Sequence, residues 1–148
     1  MGDLAERAAA RLATERTLTL RSLLTLTDEE CGKPVQHEGK PMRIGRMLRT
    51  FTSHSLDHYQ HLIRLLQARG RDLTEAQLLL MKAEAAQAEF TALLRSLSDE
   101  EFMQTGPNDG DWSASQILDH VLSNEIRYRD AVLGALGRTA EGATAGRS

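Results

Sequence analysis

The stretch MRIGRMLRTFTSHSLDHYQHLIRLLQA, residues 42–68, decides the fold. Met47, Phe51, His58, Leu62 and Leu65 recur in it at steps of three, four and seven, the period of one helix face. No proline interrupts it, and Arg69-Gly70 closes it with a helix-stop signal. A long amphipathic helix from about Met42 to Ala68 follows. Three histidines, His54, His58 and His61, ride on it. An imidazole aimed into a helix bundle is costly unless something satisfies its nitrogens.

Three more helical segments flank this one. The first runs roughly from Leu4 to Leu24, with Ala8, Leu12, Leu20 and Leu23 as core positions. Another opens at Thr74 with Gln77 in the capping-box position, and carries Leu79, Ala83, Ala86, Phe90, Leu93 and Leu97. The last opens at Ser113 with Gln116 placed likewise, and carries Ile117, Leu118, Val121, Leu122, Val132 and Leu136. The three prolines, Pro34, Pro41 and Pro107, all fall in the connections 32–41 and 103–112. Four helices without a strand pattern predict an all-α four-helix bundle. It is expected as a single domain over residues 1–136, followed by a disordered tail over 137–148.

The chain also repeats itself. Leu26-Thr27-Asp28-Glu29-Glu30-Cys31 echoes Leu97-Ser98-Asp99-Glu100-Glu101-Phe102, and both read as a short helical turn with a capping box. Met47-Leu48 then matches Ile117-Leu118 with one residue of slippage. Two copies of one unit are inferred: a long helix, a short capped turn, a proline-containing loop and a second long helix.

Composition narrows the function. The 148 residues suffice for one domain with a core. Hydrophobic residues make up 41% and charged residues 26%, as in ordinary globular proteins, and the 4% aromatic content favours helix over sheet. A formal charge of −3 gives no bulk attraction to nucleic acid or to an anionic membrane. Arg43, Arg46 and Arg49 form too thin a basic face to change that. No apolar run approaches the ~18 residues of a membrane span, and the first residues, with Asp3, Glu6 and Glu15, lack the apolar centre of a targeting peptide. A single cysteine, Cys31, fits a reducing compartment, so a cytoplasmic protein is expected.

The histidines carry the chemistry. His54 and His58 stand one turn apart, whereas His54 and His61 are two turns apart, about 10 Å, too far to share one ion. A His54–His58 pair needs a third ligand from another helix, and His120 is the best placed. His37 lies among Glu38, Gly39 and Lys40 as a solvated loop residue. Three imidazoles with an open position describe a catalytic divalent-metal site, for which Zn, Ni and Fe are all suitable. Asp57, Asp119, Asn124 and Glu125 are polar groups able to orient the rings, Glu125 foremost. A ferritin-like di-iron site would need Glu-x-x-His, and a zincin His-Glu-x-x-His; the chain has neither. Cys31 reads as the end of the short turn rather than a nucleophile.

The run Trp112-Ser113-Ala114-Ser115-Gln116-Ile117-Leu118-Asp119-His120-Val121-Leu122-Ser123-Asn124-Glu125 resembles a signature helix of the DinB-like proteins: a Trp-Ser start, a ligand histidine and a glutamate five residues later. His54-Ser55-Leu56-Asp57-His58-Tyr59-Gln60-His61-Leu62 resembles that family's two-histidine helix. The resemblance spans Leu4 to Leu136, with the two halves in reversed order, as after a circular permutation. It implies a four-helix bundle with Zn or Ni on His54, His58 and His120; His61 falls where the family often has Gln. It further implies a metal-dependent transferase, isomerase or hydrolase using a low-molecular-weight thiol such as mycothiol or bacillithiol. Glu125 or Asp57 would then accept the proton of a bound thiol. A homodimer is expected from the same resemblance. The other class of function is a metal- or small-ligand-binding bundle without turnover, acting through dimerisation.

Overall fold

The computed structural model describes residues 2–140. Six helices and one hairpin are found among them, in the order α1 (Asp3–Leu23), α2 (Asp28–Gly32), β1 (Pro34–His37), β2 (Lys40–Arg43), α3 (Ile44–Ala68), α4 (Glu75–Leu94), α5 (Asp99–Met103) and α6 (Ala114–Ala135). The chain is thus mostly helical, and the four long helices fall where the periodicity places them. The expected disordered tail lies, from residue 141 onward, outside the described residues.

Caps account for the boundaries. Thr27, Thr74, Ser98 and Ser113 are N-caps of α2, α4, α5 and α6, and each forms a reciprocal capping box with the residue three positions on: Glu30, Gln77, Glu101 and Gln116. The long helix α3 differs. Its N-cap, Arg43, makes no side-chain cap bond. At the other end, α3 and α6 close alike: Gly70 and Gly137 take positive φ, and the amides of Arg71 and Arg138 bond back to Leu66 and Leu133.

One expectation is corrected. The connection at 32–41 contains two prolines and reads as a plain loop, yet residues 34–43 form an antiparallel hairpin, with Val35 opposite Met42 and His37 opposite Lys40. His37 is therefore the last residue of β1 rather than a loop residue. Glu38 and Gly39 both take positive φ, 50° and 73°, as a two-residue type I′ turn demands. The prolines are tolerated because a two-stranded ribbon has a free edge on either side. The hairpin also delays the start of α3 from Met42 to Ile44.

The repeat is visible in the backbone. In the first copy α2 is followed by Pro34 paired with Arg43, the N-cap of α3. In the second, α5 is followed by an isolated bridge from Thr105 to Ser113, the N-cap of α6. Both long helices thus start from a cap tied back to the residue two beyond a short capped helix. The second connection is one residue shorter, which is the slippage seen in the sequence.

Backbone packing divides the chain into two compact units, Met1–Ser96 and Leu97–Ser148. In the first, packing is densest where α2 and the hairpin meet the start of α3; in the second, where α5 meets α6. The apolar stripes are a second correction. Among the described residues no hydrophobic side chain is buried, and expected core residues such as Leu12, Leu79 and Val132 are 72%, 63% and 61% exposed. Ser113 is buried, at 4%. Packing gathers at the two corners, so the stripes of the long helices keep their apolar surface accessible.

Candidate metal centre

The centre of α3 carries the histidines. Its spacing brings His54 and His58 together: their ring centroids are 4.4 Å apart, edge to face. His61 stacks on the other side of His58 at 6.4 Å. All three rings are exposed, and none has a hydrogen-bond partner among the described residues. A shallow recess of about 220 Å³, lined by Met47, Thr50, Phe51, His54 and Ser55, opens beside His54. From α1, the Arg16 guanidinium lies 5.8 Å from the Phe51 ring centroid, a cation–π contact that helps define this stretch of α3. Asp57 is exposed and makes no ion pair among the described residues.

His120 lies on α6, in the second unit, and is held differently. Its ring packs edge to face with Trp112 at 5.1 Å between centroids. Its Nε2 is 2.8 Å from Asn124 Nδ2. Arg127 donates to Asn124 Oδ1 at 2.6 Å, which turns the amide so that Nδ2 faces the imidazole. In that arrangement Nε2 accepts and the ring proton sits on Nδ1. Asn124 thus occupies the one nitrogen lone pair of the neutral ring, so a metal ion on His120 would have to displace it from Nε2. Arg127 was missed by sequence reasoning, though its i+3 spacing from Asn124 is a readable signal. Glu125 is exposed and makes no ion pair among the described residues.

The structure therefore gathers two of the three expected ligands, His54 and His58, on one helix. Among the described residues no group of three or more His, Cys, Asp or Glu side chains is assembled that could hold a metal ion. Cys31 is half-buried at the end of α2, against the approach of Gly45. The carboxyls shifted from their ordinary range are those of the short caps. Hydrogen bonds from Thr27 lower the pKa of Glu30, and those from Ser98 lower that of Glu101. Among the described residues, no helix is long and apolar enough to cross a membrane. Comparison with family models, with curated proteins and with solved structures returned no match.

Proposed function

We propose that this chain is a DinB-like metal-binding protein, a four-helix bundle in which His54, His58 and His120 hold one divalent ion, Zn or Ni foremost and Fe as a third option. The observation that carries this reading is the His54–His58 pair: two imidazoles 4.4 Å apart, one turn apart on α3, with no protein partner among the described residues. Two unpartnered imidazoles one helical turn apart are what a borderline cation binds. When bound, such an ion supplies Lewis acidity and lowers the pKa of a coordinated thiol or water. The recess beside His54 leaves room for a small molecule. Asp57, adjacent to His58, and Glu125, five residues after His120, are the carboxylates assigned to take up a thiol proton. The activity proposed is a thiol-dependent S-transferase, isomerase or hydrolase in a cytoplasmic homodimer, with a low-molecular-weight thiol as cosubstrate.

The test is metal content and thermal unfolding of wild type beside His58→Ala and His120→Ala. Wild type is expected to hold one equivalent of metal and to gain about 2.7 kcal/mol at a free ion concentration a hundred times Kd. Each variant should lose both. A metal-free wild type that shows no shift with Zn²⁺ or Ni²⁺ overturns the reading.

A second reading is favoured by the exposed apolar stripes: a bundle that binds metal or a small ligand without turnover and acts by association. Each 100 Å² of apolar surface covered is worth roughly 2.5 kcal/mol. Sedimentation with and without metal, run beside thiol-transfer assays, separates the two readings.

A further inference from the structure

A groove of about 550 Å³ lies at the far end of α3, where the helix turns through residues 69–74 into α4. Its aliphatic lining is Ile63, Leu66, Leu73 and Leu78, with the Tyr59 ring beside them. Ile63 stands about 140° around α3 from His58, so the groove opens away from the histidine pair. Two arginines, Arg64 and Arg71, line the same space. Neither makes an ion pair among the described residues, where the one ion pair is Arg129–Asp130. Arg71 is held there by the helix end itself, because its amide bonds to the Leu66 carbonyl at 3.0 Å. The volume is that of small-molecule sites. Aliphatic side chains and two unpaired arginines in one lining match a ligand with an apolar body and an anionic, fork-accepting head.

We propose that this groove binds a medium-chain carboxylate, with the aliphatic chain on Ile63, Leu66, Leu73 and Leu78 and the carboxylate on Arg64 and Arg71. Asp72, the one carboxylate in the lining, opposes the ligand's charge and tunes affinity downward. The proposal is independent of the metal reading, since no histidine takes part.

Decanoate is the probe, titrated into the full-length chain and followed by amide chemical shifts and calorimetry. Saturable binding is expected, with the largest shifts between residues 63 and 73. Arg64→Gln with Arg71→Gln should weaken it on the order of tenfold. Asp72→Asn should tighten it by about twofold. Helicity measured alongside shows whether the double variant is folded, and Asp72→Asn supplies a gain that misfolding cannot mimic. Decyltrimethylammonium, with the same chain and the opposite charge, should not bind. Equal binding of the two amphiphiles, or shifts spread over the apolar stripes of other helices, overturns the proposal. So does unchanged or weakened binding in Asp72→Asn.

Discussion

The corner from Thr27 to Arg43 and the corner from Ser98 to Ser113 do the same job by different means. Each begins with a short helix capped by a hydroxyl and a glutamate, and each ends on the N-cap of a long helix. The first closes with backbone: a four-pair ladder and a type I′ turn. The second closes with one side chain. Asp111 Oδ2 accepts from both the amide and the side chain of Asn108, each at 2.9 Å, and the pairing shrinks to a single bridge. The first corner hands over to a helix whose cap makes no side-chain bond; the second hands over to a complete capping box on a buried serine. Where the ladder fixes the helix start, a side-chain cap is dispensable; where the ladder is missing, the cap carries the boundary.

The largest expected effect strikes the second corner. A Cβ on Gly106 would meet Asp111 at 2.5, 2.6 and 2.8 Å, and the middle one of those contacts is to Asp111 Cβ, which no side-chain rotation can move aside. Gly106→Ala should cost about 1–3 kcal/mol in denaturant unfolding. In the first corner Gly45 is also close to its neighbour, but at 3.4 Å from the Cys31 carbonyl oxygen, ordinary contact. Gly45→Ala should stabilise by about 0.5 kcal/mol. Equal costs at both sites would erase the distinction between the corners.

The caps give the next effect. Ser113→Ala should cost about 1–2 kcal/mol and fray the first turn of α6, read from amide exchange at Gln116. The reciprocal change, Arg43→Ser, supplies the hydroxyl that α3 lacks and should gain up to about 1 kcal/mol. A loss on Arg43→Ser would mean that the ladder, not the missing hydroxyl, limits the start of α3.

The smallest effect is one of pH, and here the corners should agree. Glu30 and Glu101 are both held below the ordinary glutamate value of about 4.3 by their caps. A depressed folded pKa contributes stability that is whole above the unfolded value and vanishes as pH falls through the lowered one. The amides of Thr27 and Ser98 should therefore lose protection together below about pH 4.3. Those of Thr74 and Ser113, bonded to Gln77 and Gln116, should not respond over that range. Acid fraying at all four caps would show that something other than the glutamates titrates.

Local signals were legible; those that depend on tertiary context were not. The four capping boxes could be read because the hydroxyl and its Glu or Gln partner sit three residues apart in the chain. The repeat could be read because the boxes recur. The hairpin could not, because Glu38-Gly39 is a weak turn signal beside Asn-Gly and because Pro34 and Pro41 argue against strand. Within the candidate site, the His54–His58 pair follows from helix geometry alone. The polar chain from His120 through Asn124 to Arg127 follows the same spacing rule, but choosing among several polar neighbours of His120 needed side-chain positions. The stripes named the right residues as apolar, yet burial depends on what covers a stripe, which periodicity does not encode.

On the one-residue slippage, His120 of α6 corresponds to Thr50 of α3, and Asn124 to His54. Thr50 spends its hydroxyl on the Arg46 carbonyl of its own helix, while Asn124 spends its amide on His120. The same rung of the ladder thus holds an imidazole in one half and an amide in the other. The two capped corners repeat as local structure, while the helices they start differ as chemistry, so neither rung can stand in for the other when one is lost.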